Sequence, residues 1–592
     1  MADREPSHFD EESEPLLNAP KREGKKKVFL VLTAAAGLSL ILIFFFCLVG
    51  GNHKDEGFKG RMVMGTHGGV AVEAEECSNV GVQILKQGGN AVDSAIASAL
   101  CIGVINNHAT GIGGGGFMLI RSPNGTFDVI DFREQAPAQA HEDMFTHDPM
   151  LAQIGALAIA TPGEIRGFEL AHQRHGQLEW HQLFEPAIRI ARDGFIATSF
   201  MESRLKLAEE WIMASQTWMD VYAPNGTLAR EGDLIRRPAL ATTLETIAKE
   251  GPDAFYKGPL AESMIRTIQE NGGILTMDDL SAYKAIIRPT AHTYYHGRKI
   301  TTATSPASGP VLLAMLNILE RYNLYAQGET TLNTHRMLEA FKYGYAFRTE
   351  MGDPAYVHNQ ARMHELVSKD WASCVRQNLS DERTFPPPYY QPKYDHVEAH
   401  GTMHLSVVDE ADGAVALTST MNLLFGSRLM DPTTGVIFND QMDDFSIPGT
   451  PNMFGLSPSK NNYVAPGKRP LSSITPVIVE HDKALELVLG GSGGSLITTS
   501  VMQVLLNALD YDKDLYTATE SPRLHHQLIP NIVIMEDDAN FRLMQTLNDR
   551  GHQTFVLPPE LHVSAVQSVQ RFPNGQVGAV SDPRKNGLAA AY

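Results

Sequence analysis

Residues 398–410 read EAHGTMHLSVVDE, and the fold turns on the reason Thr402 stands where it does. A glycine precedes it and an alternating run, MHLSVV, follows. Alone, this is an ordinary strand opening, because β-branched side chains suit a pleated surface. The flanks add to that reading. Upstream, TFPPPYYQPKYDHVEAHG (384–401) carries three consecutive prolines and another at Pro392. These predict an extended, exposed arm in place of a helix or a central strand. Downstream, HLSVVDEADGAVALTSTMNLLFGS (404–427) has turn chemistry at Ala411-Asp412-Gly413 between two apolar runs, a hairpin signature. Folding about Ala411 brings Thr420 opposite Thr402, within a residue or two.

That pairing has a chemical reading. A threonine hydroxyl is a poor nucleophile unless a base adjoins it. A threonine at a chain N-terminus supplies its own base, an α-amine with a reference pKa of about 7.7–8.0. Aspartate and glutamate are too acidic for the task and lysine too basic. Thr402 gains such an amine only if the Gly401–Thr402 bond is cut. Gly401 has no side chain to obstruct attack by the Thr402 hydroxyl on its carbonyl, and it tolerates a strained backbone.

The chain around this stretch has 592 residues, 20% charged and 43% hydrophobic, a folded profile with more than one lobe. Its net charge of −19 argues against nucleic acid as a partner. Val28 to Val49 is uncharged and long enough to cross a bilayer, which takes about 20 apolar residues. Lys21, Arg22, Lys25, Lys26 and Lys27 crowd its N-terminal flank, so residues 1–27 are expected in the cytosol and the bulk of the chain beyond the membrane. The segment starts too far from Met1, and runs too long, for a signal peptide. The expectation is a single-pass type II anchor at 28–49 with a stalk at 50–60. The polar tail before it contains Glu12-Ser-Glu-Pro-Leu16-Leu17, similar to an acidic dileucine sorting signal, which leans towards a vacuolar or lysosomal membrane over the plasma membrane. Sequons at Asn124, Asn225 and Asn378 fit a lumenal or extracellular body as glycosylation sites.

Cys47 lies in the apolar segment. Cys77 and Cys101 bracket CSNVGVQILKQGGNAVDSAIASALC, which reads as helix, Gln87-Gly-Gly-Asn90 turn, helix. In an antiparallel helical hairpin, residues equidistant from the turn lie side by side, so these two cysteines are expected to form a disulfide beyond the membrane. Cys374 is left free. Phe117 to Glu134, with a turn at Pro123-Asn-Gly, reads as a β-hairpin, and residues 160–350 as a mostly helical lobe. The run TGIGGGGFM (Thr110 to Met118) has a helix before it and a strand after it, the reverse of a dinucleotide fingerprint, and reads as a close-packed turn. No HExxH, CxxC or other metal-ligand spacing occurs.

Taken in order, AEECSNVG, GGNAVDSAIASALC, HATGIGGGGFML, DFREQAP, HGTMHLSVVD, TSTMNLLFGS, NDQMDDFS, PGKRPLSS and GGSGGS resemble the γ-glutamyltransferase family of N-terminal-nucleophile hydrolases, from about Arg61 to Tyr592. The resemblance implies an α/β (α+β) fold, a four-layer αββα sandwich. It implies cleavage into a large subunit, 61–401, and a small one, 402–592, which remain together as a heterodimer. It also implies the activity: Thr402 attacks the γ-glutamyl amide of glutathione or a conjugate, and the acyl group passes to water, an amino acid or a dipeptide, with no metal or cofactor required.

The implied roles make physical sense one by one. Arg133 would hold the glutamyl α-carboxylate, which its fork matches bidentately, and Ser472 and Ser473 would add hydroxyl donors. Asn422, Gln441 and Asp444 would receive the α-ammonium, which needs acceptors. Gln441 stands where family members have Glu or Gln. Asp443 would face elsewhere. Gly493 and Gly494 would present N–H groups to the tetrahedral oxyanion, and Thr420 would hydrogen-bond Thr402. Two rival readings exist: a related amidohydrolase or acylase, disfavoured by the intact Arg133, Asn422, Asp444, Ser472 and Ser473 set, and an inactive membrane-anchored scaffold, disfavoured because no pocket residue is lost.

Overall fold

The 402–420 hairpin forms as its alternation dictates. Met403–Val408 pairs antiparallel with Ala414–Thr420, Met403 opposite Ser419 and Val408 opposite Ala414. Continued by one residue, this register sets Thr402 across from Thr420. The turn is tied by Asp409, whose Oδ1 accepts the N–H groups of Ala411 (3.0 Å) and Gly413 (2.7 Å). Asp412 sits at φ 61°, a conformation that Asp tolerates in turns.

This computed structural model describes residues 60–395, 401–453, 455–536, 540–558 and 564–592. The Val28–Val49 segment, the dileucine-bearing tail, Cys47, the stalk through residue 59 and residues 396–400 of the arm lie outside the described residues. Among the described residues, no helix is long and apolar enough to cross a membrane.

The hairpin forms the middle of an antiparallel seven-stranded sheet, in the order Ala590–Ala591, Gly69–Ala71, Met403–Val408, Ala414–Thr420, Gly115–Arg121, Phe127–Asp131, Ile286–Arg288. A second antiparallel seven-stranded sheet runs Val63–Gly65, Val577–Val580, Ala565–Arg571, Ala484–Ser492, Val477–His481, Arg298–Ala303, Thr290–Tyr295. Side-chain alternation sorts three cores. Phe117, Leu119, Val129 and Ala416 of the first sheet pack on Ile478, Val488 and Val569 of the second. Leu405, Val407 and Leu417 face the other way, into a core shared with helices Ala91–Ile105 and Trp180–Asp193. Val477, Leu487 and Val566 face helices Gly309–Leu319, Thr331–Arg348 and Leu496–Leu509. The layers are therefore helix, sheet, sheet, helix.

Two expectations need correction. Residues 160–350 are mostly helical, as expected, but they are not a separate helical lobe. Ile286–Arg288, Thr290–Tyr295 and Arg298–Ala303 interrupt the helices; the first joins one sheet and the other two end the second. Their sequences, IIR, TAHTYY and RKITTA, are rich in β-branched and aromatic residues, and the link His296-Gly297 takes positive φ. Nor is the arm extended throughout its described part. Pro387–Tyr390 forms one 3-10 turn, and Tyr390 is buried, its hydroxyl donating to Glu339 Oε2 at 2.7 Å and accepting Phe385 N–H at 3.2 Å.

The helical hairpin Glu75–Lys86 and Ala91–Ile105 is present, its second helix capped by Asn90 Oδ1 on the N–H groups of Val92 (2.9 Å) and Asp93 (3.1 Å). A disulfide joins Cys77 to Cys101. Cys374 is free and exposed. The run before Gly115–Arg121 is close-packed: a Cβ on Gly114 would lie 2.2 Å from Thr420 O, and one on Gly116 2.0 Å from Thr418 O. Asn124, Asn225 and Asn378 are all exposed.

Candidate active site

Even-numbered residues of the hairpin point between the sheets. His404 Nδ1 lies 2.8 Å from Thr418 Oγ1, and Ser406 Oγ donates to Gln567 O of the second sheet at 3.0 Å. Burial pushes His404 down to about 3, so this imidazole is neutral and links the strands. Thr402 and Thr420 belong to the same inward row, at its end.

Thr402 Oγ1 donates to Thr420 Oγ1 at 3.3 Å. The Thr420 hydroxyl in turn donates to Gly401 O and accepts Asn422 N–H at 2.9 Å. Thr420 thus uses its one proton on the carbonyl of the scissile bond and both lone pairs on its neighbours. A Cβ on residue 401 would lie 2.1 Å from Asn422 O, so only glycine fits there. The Thr402 carbonyl accepts from Lys585 Nζ at 3.1 Å. Lys585 also donates to both Glu73 oxygens, at 3.1 Å each, and to Ser492 Oγ at 2.7 Å. All four groups are buried.

Beside Thr402 lies a cavity of about 280 Å³, mouth included, lined by Arg133, Thr402, Thr420, Asn422, Gln441, Asp444, Ser472, Ser473 and Gly494. Of the predicted pocket residues only Gly493 is absent from that lining; it precedes Gly494 at φ 118° and packs on Ser564. Helix Leu496–Leu509 begins two residues after Gly494, and Ile497 of its first turn reaches the same cavity. A helix N-terminus carries free N–H groups and the positive end of the dipole, a setting for negative charge.

Arg133 is 1% exposed. Its Nη2 donates to Asp444 Oδ2 and, at 3.1 Å, to Leu471 O. Its Nη1 is buried and has no hydrogen-bond partner among the described residues; Glu134 Oε2 stands 3.7 Å away. Gln441 Nε2 donates to Asp444 Oδ2 at 2.7 Å, while its buried Oε1 has no partner among the described residues. The protein thus holds one unused donor and one unused acceptor at the edge of one small cavity. Buried polar groups usually meet a protein partner, a bound water or a ligand, and these two sit on residues that line the same cavity. A guanidinium paired with a carboxylate, beside an open amide oxygen, offers groups of both signs to a zwitterionic α-amino acid.

Asp443 does not border the cavity, as expected, yet it is not idle. Its Oδ2 lies 3.5 Å from Asn422 Nδ2. Burial, then the neighbouring Asp444, pushes it up to about 6. Burial pushes Glu134, behind Arg133, up to about 8. No motif announced Glu73 or Lys585, and Ser492, inside GGSGGS, was given no role. They come from three distant segments, and only the folded topology brings them under Thr402.

A model of the family described as Gamma-glutamyltranspeptidase matches residues 77–592. The chain is 44% identical over 548 residues to glutathione hydrolase proenzyme 1 of Schizosaccharomyces pombe, covering 91% of this chain and 87% of that protein. It is 38% identical over 542 residues to the glutathione hydrolase proenzyme of Escherichia coli, covering 90% and 93%. Among solved structures, cephalosporin acylase from Bacillus halodurans is similar with a TM-score of 0.81 over 92% of this chain and 99% of that one; at 24% identity this is a likeness of fold. Helicobacter pylori gamma-glutamyltranspeptidase gives a TM-score of 0.52 and 30% identity over 58% of this chain and 97% of its own.

Proposed function

Because this chain belongs to the gamma-glutamyltranspeptidase family, we propose that it is a glutathione hydrolase and γ-glutamyltransferase whose nucleophile, Thr402, is freed by cleavage of its own Gly401–Thr402 bond. The observation that carries the reading is the pair of buried, unpartnered atoms, Arg133 Nη1 and Gln441 Oε1, on the cavity that Thr402 lines.

Maturation starts from the hydroxyl of Thr402. It attacks the Gly401 carbonyl carbon, whose oxygen already accepts the Thr420 hydroxyl. The C–N bond breaks, the proton passes to the departing nitrogen, and water cleaves the resulting ester. Two chains remain, one ending in the Gly401 carboxylate and one starting with the Thr402 amine. Lys585 keeps hold of the Thr402 carbonyl, so the new terminus stays beside the cavity.

In turnover, the donor's α-carboxylate meets Arg133, Ser472 and Ser473, and its α-ammonium meets Asp444, Gln441 and Asn422. The Thr402 amine takes the proton of its own hydroxyl, and Oγ1 attacks the γ-carbonyl carbon. The N–H groups of Gly493 and Gly494 receive the oxyanion, each such donor being worth about 2.7–4 kcal/mol. Cysteinylglycine leaves as an amine carrying that proton. Water then hydrolyses the γ-glutamyl ester, or an amino acid or dipeptide takes the acyl group. Release of p-nitroaniline from γ-glutamyl-p-nitroanilide by wild type, and its loss in Thr402→Ala, is the expected result. Wild type that self-cleaves without releasing it would favour an acylase acting on another side chain.

The same reading extends to placement. Val28–Val49 anchors the chain as a type II protein, the body is lumenal and glycosylated at Asn124, Asn225 and Asn378, and the Leu16-Leu17 signal sends it to a vacuolar or lysosomal membrane. The uncharged span, the basic flank and the three exposed asparagines support this. Location of a tagged protein carrying Leu16→Ala and Leu17→Ala tests the last step: an unchanged location removes the sorting role.

A further inference from the structure

Behind the donor pocket lies a buried cluster of charged groups that no step above uses. Strand Phe127–Asp131 ends two residues before Arg133, and Asp131 is fully buried. Its Oδ1 accepts the backbone N–H of Arg133 at 2.9 Å and Nη1 of Arg469 at 2.5 Å. The Asp131 main-chain carbonyl accepts the same Nη1 at 2.9 Å, and its Oδ2 accepts from Arg288. Asp353 closes the ring. Its Oδ1 accepts from Arg288 Nη2 at 3.2 Å and its Oδ2 from the Arg469 backbone N–H at 3.1 Å. Two carboxylates thus face two guanidinium groups, and the cluster is balanced in charge.

Arg469, itself buried, reaches the other side of Arg133 as well. The Tyr283 hydroxyl donates to Arg133 O at 2.8 Å, and the Arg469 guanidinium lies over the Tyr283 ring, 5.4 Å from its centre. Arg469 Nη2 donates to Lys284 O at 2.7 Å, next in the chain. Both main-chain polar groups of Arg133 therefore end on residues that Arg469 touches. The residues after Arg469 meet the Arg133 side chain. Pro470 O accepts from its Nε at 3.4 Å and Leu471 O from its Nη2 at 3.1 Å, while Ser472 and Ser473 line the cavity.

Arg469 is thus joined through the chain to one half of the α-carboxylate site and through hydrogen bonds to the other. Cleavage at Gly401 leaves those halves on different chains. A binding constellation must hold its groups to within about 0.5 Å, so its geometry then depends on contacts across the seam. The planar fork of an arginine fixes direction as well as distance, which a lysine ammonium does not. We propose that Arg469, through Asp131, is a positioning residue for the donor's α-carboxylate: it sets the spacing between Arg133 of the large chain and Ser472 and Ser473 of the small one. The inference rests on the γ-glutamyltransferase reading above.

The experiment measures KM and kcat for hydrolysis of γ-glutamyl-p-nitroanilide, each rate divided by the amount of matured small chain, together with the unfolding midpoint. The proteins are wild type, Arg469→Lys, Arg469→Gln, and Arg469→Gln combined with Asp131→Asn. The α-carboxylate is held alike in the ground state and the transition state, so its misplacement raises KM and leaves kcat. Arg469→Gln raises KM about tenfold; Arg469→Lys, which keeps the charge without the fork, raises it less. Arg469→Gln also leaves a buried charge uncompensated and loses stability, and the double variant, which removes one charge of each sign, regains it. The raised KM persists in the double variant, because the fork is still missing. A KM that returns to the wild-type value along with stability, or that rises in no variant, overturns the proposal and leaves the pair serving the fold alone. Should Arg469→Gln fail to mature, Arg469→Lys and the double variant decide on the same terms; if neither of these matures, the proposal falls. Wild type that releases no p-nitroaniline overturns the γ-glutamyltransferase reading itself and this proposal with it.

Discussion

The nucleophile and its neighbours show how closely single residues are specified. At position 401 any side chain would press its Cβ to 2.1 Å from Asn422 O, and the carbonyl that Thr402 must reach would move. Displacements of about 1 Å at a reacting centre cost on the order of 100-fold. Gly401→Ala is expected to slow self-cleavage by about that factor, followed as the loss of the single chain on a denaturing gel; cleavage at the wild-type rate would contradict it. Asp443 offers a pH test. Its folded value, about 6, lies above its ordinary carboxylate range. The neutral carboxyl therefore stabilises the fold at low pH, and this contribution is lost as pH rises from about 4 through about 6. Asp443→Asn removes the titration, so its unfolding midpoint should gain on wild type across that window; a constant difference would refute the assignment. Thr402, Gly401 and Thr420 were legible in the sequence because hairpin register is a local property. Glu73 and Lys585 were not: a lone Glu and a lone Lys carry no pattern, and only strand order places them under Thr402.

At the scale of elements, the hairpin and the helical hairpin follow directly from alternation and turn chemistry, and the disulfide follows from the second. Cys77 and Cys101 are 24 residues apart, and closing such a loop is worth about 2–4 kcal/mol. Cys77→Ser should lower stability by that amount, read as a denaturant midpoint, and reductant should then change the midpoint no further. A variant within about 0.5 kcal/mol of wild type would contradict this. Ile286–Ala303 and the arm were harder to read. Three short strands between long amphipathic helices look like connectors until both sheets supply partners for them. The arm's prolines predict extension, but Tyr390 reaches the buried Glu339 and folds one turn around it.

At the scale of the described body, 60–592, residues from near its beginning and near its end meet around the nucleophile. Glu73 lies just after a strand near the start of the body, Lys585 lies near the last residue, and both meet Thr402 or its carbonyl partner from below. Removing one partner of a buried pair leaves an uncompensated charge and costs about 3–5 kcal/mol. Lys585→Met should lower the unfolding midpoint accordingly and reduce the fraction matured. Adding Glu73→Gln should restore much of the loss in stability; no restoration would show that the pair is not coupled. The layer order, too, was not readable from any one segment, since each sheet takes strands from across residues 61–592. The family motifs carried it, as an implied sandwich. The central claim is that Thr402 becomes a chain terminus, and one measurement meets it directly: N-terminal sequencing of the small chain from the purified protein. The account predicts a chain beginning Thr402-Met403-His404-Leu405. A protein that stays one chain, or a small chain that begins at any other residue, would contradict it.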